Sequence, residues 1–272
     1  MKTAVITGVR TNSLGILAAQ VLAEQQYNLI LVARNSDHLE DAKSQIMAAV
    51  PTIAANGSSI SIVPCDIRDY SSVSQALARY RTVDVLVNAA GVLGPTGNFA
   101  SNDMRAWSDC IMTNVVGTAN VCHALIDRFP TISRGKIINY SGGGGGEALV
   151  AHSAYGSSKA AAIRFTENLA VEFPGIDSNI IAPGAHNTNI QQSETSLDLT
   201  KISWADPQRY TGLVRFLASE KSDGITGRFI NIKDNWDAPG FANMKPDYLK
   251  LRRVDELLLR RVGDIPSRDT SK

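Results

Sequence analysis

Short apolar runs recur along the first 232 positions, and longer segments with helical spacing separate them. The runs are Thr3–Ile6, Asn28–Ala33, Ile60–Pro64, Val83–Val87, Lys136–Tyr140, Asn179–Ala182 and Arg228–Ile232. Most are rich in Val, Ile and Leu and bounded by Gly, Pro, Asn or Asp. Near-continuous apolarity over so few residues predicts strands covered on both faces. The intervening windows Gly15–Gln25, Ser36–Ala49, Ser71–Tyr80, Asp103–Phe129, Ser153–Phe173 and Pro207–Ser219 predict helices. Such alternation predicts an α/β fold with a doubly wound parallel sheet of about seven strands. Right-handed crossovers then place any ligand crevice at the carboxyl ends of the strands.

The organisation is one domain over residues 1–232, including a polar substrate loop at 185–204, followed by a tail at 233–272. Within the tail, Asp247–Arg261 is rich in Leu, Lys and Arg and is expected to be helical. Charge is nearly balanced, 27 Lys+Arg against 26 Asp+Glu, so nucleic acid and anionic membrane are not expected partners. The three cysteines, Cys65, Cys110 and Cys122, lie far apart without ligand spacing, so neither a disulfide framework nor a metal site is expected. The apolar stretch at the N-terminus is too short for a signal peptide, and no run approaches the ~20 apolar residues of a membrane span. A cytoplasmic protein is the expectation.

The first strand leads into Thr7-Gly8, and a helix opens near Gly15. A glycine turn at this place brings backbone up to a pyrophosphate, and the helix N-terminus adds N–H donors and a positive dipole. Gly8, Arg10, Asn12, Ser13, Leu14 and Gly15 are therefore candidate cofactor contacts. The second strand ends at Ala33-Arg34, where such a fold reads the adenine ribose. Ala33 offers no acceptor for the 2′-hydroxyl of NAD, whereas Arg34, with Arg10 as a second cation, suits the 2′-phosphate of NADP. NADP is thus the expected cofactor, with NAD as the alternative. Asp66 and Ile67 follow the third strand, and Asn88, Ala89, Ala90 and Gly91 the fourth. Asp66 is a candidate acceptor for the adenine amino group, and the small residues admit a flat ring or ribose. Tyr155 and Lys159 stand four apart at the head of a helical window, hence on one face. A nearby cation lowers a phenol pKa from about 10 toward neutrality, which makes Tyr155 a candidate acid/base for a carbonyl/alcohol pair.

Taken in order, Thr7-Gly8, Asp66-Ile67, Asn88–Gly91, Asn114, Tyr155–Lys159 and Pro183-Gly184 with Thr188 resemble the short-chain dehydrogenase/reductase family. The resemblance spans roughly residues 1–232. It implies a Rossmann-like fold and NAD(P)-dependent hydride transfer between a carbonyl and a secondary alcohol on a small-molecule substrate. In that scheme Tyr155 exchanges the proton with the substrate oxygen, while Lys159 holds the nicotinamide ribose and lowers the Tyr155 pKa. Asn114 holds a water that links Lys159 to solvent, and Pro183, Gly184 and Thr188 embrace the nicotinamide. A homodimer or homotetramer, paired through the helices bearing Asn114 and Tyr155, is implied as well.

Three features depart from the family pattern. The glycine turn, TGxxxGxG in the family, is one residue longer here and carries Ser13 in place of the middle glycine. The family's catalytic serine, thirteen residues before the tyrosine, falls on Gly142 within the run Gly142–Gly146. Losing one such donor costs about 10²–10³ in rate. Ser141 is a candidate to serve instead, but a strand would point it to the other face. The glycine run must therefore depart from strand geometry for Ser141 to act; a bound water, Ser153 or a substrate group are the other substitutes. Finally, Lys233–Asp237 and the tail replace the family's usual ending. The loop with His186, Asn187, Asn189, Gln191, Gln192, Ser193 and Glu194 leans toward a polar, sugar-like substrate. The competing readings are a reductase of 3-oxoacyl thioesters and a catalytically silent nucleotide-binding sensor.

Overall fold

Strands that are apolar along nearly their whole length need cover on two sides, and the computed structural model, which describes residues 1–194, 198–243 and 249–250, supplies it. β1 (Thr3–Thr7), β2 (Asn28–Ala33), β3 (Ile60–Pro64), β4 (Val85–Asn88), β5 (Gly135–Tyr140), β6 (Ile176–Ala182) and β7 (Phe229–Asn231) form one parallel sheet. Their order is β3-β2-β1-β4-β5-β6-β7. The helices are α1 (Leu14–Glu24), α2 (Ser36–Ala49), α3 (Thr52–Asn56), α4 (Tyr70–Leu77), α5 (Met104–Ile111), α6 (Thr118–Leu125), α7 (Ser153–Glu172), α8 (Asn189–Gln192) and α9 (Pro207–Leu217).

Alternate strand residues feed two separate cores. Ile6, Leu29, Leu31, Val87, Ile138 and Tyr140 pack with α1, α2 and α9 on one face. Val5, Ile30, Val32, Leu86 and Ile137 pack with α4, α6 and α7 on the other. Burying each large aliphatic side chain contributes about 1.5–3 kcal/mol. Successive strands run outward from β1 in one direction and from β4 in the other, so a crevice opens between their carboxyl ends.

Local chemistry starts the helices. Ser13, Asn35, Asp69, Asp103 and Asp206 each accept a backbone N–H as N-cap of α1, α2, α4, α5 and α9, and Pro207 opens α9. Helix α7 starts with no side-chain cap.

Several element limits differ from those predicted. The segment Asp103–Phe129, predicted as one helix, is α5, a π-helical stretch over Met112–Gly117, α6 and a 3₁₀ turn at Ile126–Arg128. β4 starts later, because Val83 N–H donates to the Arg128 carbonyl (3.0 Å). β6 starts earlier, because Ile176–Ser178 pair with Gly135–Ile137. The loop 185–204, read as aperiodic, contains the short helix α8. After β7 the chain folds back on α9, where Trp236 lies under the Arg209 guanidinium (4.6 Å) and beside Phe216 (5.7 Å). The predicted helix Asp247–Arg261 lies outside the described residues, apart from Leu249 and Lys250.

Candidate active site

A cleft of about 530 Å³ occupies the β1/β4 crevice. Its walls include Gly8, Arg10, Asn12, Ser13, Leu14, Arg34, Asp66, Ile67, Ala89, Gly91 and Thr188, all singled out in the sequence. Gly8 has φ +70°, and a Cβ there would stand 2.5 Å from Ala90 Cα. Gly15 is buried below it, with room for a Cβ only 2.7 Å from the Gly8 carbonyl oxygen. These two glycines let the turn close, as the motif requires.

The extra residue of the turn is accommodated at Asn12, which takes φ +56°, a conformation asparagine tolerates better than most. Ser13 accepts from Ile16 N–H (3.3 Å) and donates to the Arg10 carbonyl (2.7 Å), which ties the lengthened turn to the head of α1. Its hydroxyl thus supports the turn. Arg10 and Arg34 are exposed, and neither forms a salt bridge among the described residues. His38 adds a third basic side chain to the same end of the cleft.

Asp66 lines the cleft and is held there by a neighbour that the sequence reading did not include. Arg68 grips the carboxylate through Nη2–Oδ2 (2.7 Å) and Nε–Oδ1 (3.1 Å), and this bonding holds its pKa below the usual carboxylate range. Asn88 is buried and donates to Asn139 Oδ1 (2.9 Å), so its side chain braces β4 against β5. Pro183, Gly184 and Gly15 do not line the cleft. The Pro183 carbonyl instead accepts from the buried His186 Nε2 (2.8 Å).

The acid/base group lies beyond Gly91. A Cβ on Gly91 would approach Asn114 Oδ1 to 3.2 Å and Lys159 Nζ to 3.7 Å, so this glycine joins the cleft to both side chains. Asn114 sits in the π-helical stretch, a device common at functional sites. Its Oδ1 accepts from Val92 N–H (2.8 Å), and its Nδ2 donates to the Val92 carbonyl (2.9 Å) and to Ser158 Oγ (2.9 Å). Lys159 Nζ donates to the Tyr140 carbonyl (2.9 Å) and lies 5.4 Å from the Tyr155 ring centre. The predicted lowering of the Tyr155 pKa is corrected here. Burial pushes the phenol up to about 12 and pulls Lys159 down to about 8. Desolvation disfavours both charged forms and outweighs attraction at this separation.

At Gly142 a Cβ would fall 2.4 Å from the Tyr155 hydroxyl oxygen, so the phenol sits against bare backbone. The run then turns, with Gly145 N–H donating to the Gly142 carbonyl (3.2 Å) and Gly144 at φ +85°. Ser141 is 3% exposed, and its Oγ has no hydrogen-bond partner among the described residues. A Cβ on Gly145 would sit 2.3 Å from that oxygen and 3.3 Å from Lys159 Cβ, which places Ser141 beneath the turn on the α7 side.

The loop 185–204, here termed the lid, meets the glycine turn directly. Asn189 Nδ2 donates to the carbonyls of Thr11 (2.7 Å) and Asn12 (3.0 Å). Asn189 was read only as part of the polar loop, and Arg68, His38 and Thr113 were missed as cleft residues. Only adjacency to Ile67 and Asn114 could have flagged two of the three.

Comparison with known proteins bears on the family and the fold. The family described as short chain dehydrogenase matches residues 2–198. Oxidoreductase UcpA of Salmonella typhimurium is 32% identical over 248 residues, covering 83% of this chain and 90% of its own. The 3-oxoacyl-[acyl-carrier-protein] reductase FabG of Chlamydia trachomatis is 30% identical over 247 residues, covering 85% and 95%. Among solved structures, an actinorhodin polyketide ketoreductase with NADPH superposes with TM-score 0.71 at 25% identity, covering 89% of this chain and 98% of that one.

Proposed function

This chain belongs to the short-chain dehydrogenase/reductase family, and we propose that it is an NADP-preferring reductase that converts a ketone into a secondary alcohol. The carrying observation is Gly91, which lines the nucleotide cleft and stands against Asn114 and Lys159. One residue thereby joins the cofactor cleft to the acid/base group. The cleft fits a dinucleotide: the missing Cβ at Gly8 lets the turn close on the Ala90 backbone, the missing Cβ at Gly91 leaves Asn114 and Lys159 beside the cleft, and the head of α1 supplies N–H donors. A bound nicotinamide nucleotide supplies the hydride.

The protein's own part is proton delivery and placement. With its pKa near 12, Tyr155 stays a phenol at neutral pH, the form that donates a proton to a reduced carbonyl oxygen. Lys159 is mostly an ammonium below about pH 8, and Tyr140 O accepts only one of its N–H groups, which leaves donors for a ribose. The exposed Arg10 and Arg34 support preference for a 2′-phosphate. Ser141 as a donor to the substrate, and Pro183 and Gly184 as nicotinamide neighbours, belong to the same reading.

The polar lid favours a polar, sugar-like ketone. A 3-oxoacyl thioester is the second reading, favoured by exposed Phe99, Leu149, Val150 and Trp204 on the loops after β4, β5 and β6. A homo-oligomer is part of the proposal, paired along α6 and α7, where a groove of about 440 Å³ is lined by Ala119, His123, Phe165 and Leu169. Light scattering showing only monomer at micromolar concentration would reject that pairing.

The test is titration with NADPH and NADH by nicotinamide fluorescence, followed by a panel of keto-sugars and 3-oxo thioesters. NADPH binding at least tenfold tighter, with ketone-dependent oxidation, is expected. Equal binding of NADH rejects the preference, and tight binding without turnover favours the sensor.

A further inference from the structure

The lid and the head of the catalytic helix are joined by a buried titratable pair that the reaction above does not use. His152 precedes α7 and stands three residues before Tyr155; it is 3% exposed, and Glu194, just past α8, is 5% exposed. His152 Nδ1 lies 2.7 Å from the Val150 carbonyl oxygen, and Nε2 is hydrogen-bonded to Glu194 Oε2. The Val150 carbonyl only accepts, so Nδ1 donates, and a proton is shared between Nε2 and the Glu194 carboxyl group. The pair is therefore a proton-sharing imidazole and carboxyl closed off from water. Burial alone would lower the imidazole pKa, yet the bonds to Glu194 and Val150 hold it above its usual value.

The backbone around His152 is tightly committed. Ala151 holds φ +66°, a strained conformation for a residue with a Cβ. Its carbonyl accepts from Gly97 N–H (2.8 Å), and the His152 carbonyl accepts from Gly156 N–H (2.8 Å). Ser153 Oγ accepts from Trp107 Nε1 (3.2 Å). Because α7 has no side-chain cap, this junction sets the first helical turn, which carries Tyr155. The start of α8 is fixed separately, by Asn189 on the cofactor turn.

We propose that His152 and Glu194 are positioning residues for the reduction: their pairing draws the lid onto the head of α7 and thereby places the Tyr155 hydroxyl against the substrate. The proposal rests on the reading of Tyr155 as the acid. Removing one partner leaves the other buried without its hydrogen bond, whereas replacing both removes that imbalance. A double-mutant cycle therefore reads the pair itself, apart from the further contacts of Glu194.

The cycle compares wild type, His152→Gln, Glu194→Gln and the double variant by steady-state kinetics and by tryptic cleavage after the exposed lid residue Lys201. Each single variant should lose about tenfold in kcat with the KM for NADPH within twofold, and its lid should be cut about tenfold faster. The double variant should be no worse than the poorer single one. Singles within twofold of wild type, or losses that multiply in the double variant, overturn the proposal. If wild type reduces no ketone, the functional reading fails, and the cleavage cycle alone decides the pair by the same criteria. If a single variant does not fold, ¹⁵N shifts of the wild-type His152 ring decide it. A hydrogen-bonded Nε2 at pH 7 supports the pair, and an Nε2 without a hydrogen bond overturns it.

Discussion

The two ends of the active cleft are built by opposite means. Around β1 and β2 the cleft is walled by the turn Gly8–Leu14, together with exposed Arg10 and Arg34, which form no salt bridge among the described residues. Beyond Gly91, around β5 and β6, the site is built instead from buried side chains joined across long stretches of chain: Asn114 to Ser158, Lys159 to the Tyr140 carbonyl, and His152 to Glu194. The first end is a local construction that a short peptide encodes. The second exists only once the sheet has brought distant loops together. Binding and proton transfer should therefore fail separately under mutation.

The largest expected effect tests that separation. Tyr155→Phe should lower kcat about a thousandfold while leaving NADPH affinity within threefold, measured by turnover and fluorescence titration. A parallel loss of affinity would mean that the two ends are one unit. Gly8→Ala should do the reverse. Its methyl group meets the Ala90 backbone in a left-handed conformation, and NADPH affinity should fall about a hundredfold. Arg34→Ala sharpens the picture at the adenosine end. Loss of a charged contact should weaken NADPH about thirtyfold and leave NADH unchanged, by the same titration.

The pH profile probes the buried end. Burial brings Lys159 to about 8, so its ammonium prevails below that pH and is lost above it. Reductive kcat/KM should be level near neutrality and decline about tenfold per unit above about 8. The smallest effect is expected at Ala151→Gly. Relief of the left-handed alanine should stabilise the fold by about 1 kcal/mol and raise Tm by about 2–4 °C, read by calorimetry.

The same contrast explains what the sequence could reveal. The sheet was legible because its strands are apolar on both faces, and the cofactor turn because glycine, cap and helix follow one another within nine residues. Tyr155 and Lys159 were legible because a helix sets their common face. The uninterrupted helix predicted through Asn114 was wrong in kind, since nothing local announces a π-helical stretch. The predicted drop in the Tyr155 pKa neglected desolvation, which depends on tertiary packing. Asp66 was read without Arg68, two residues away, whose guanidinium occupies it. The pairing of His152 with Glu194 has no sequence signature at all, because 42 residues separate the partners.

The nearness of the Tyr155 hydroxyl to Gly142 makes these two positions epistatic. A serine placed at 142 would not simply add a donor, because its first side-chain carbon claims the place of the phenol oxygen. A library that varies residue 142 alone samples mostly displaced tyrosines. One that varies 142 together with the length of the glycine run explores the combinations in which both hydroxyls have room. The sequence space around this site is thus a ridge, crossed by coordinated steps and closed to single ones.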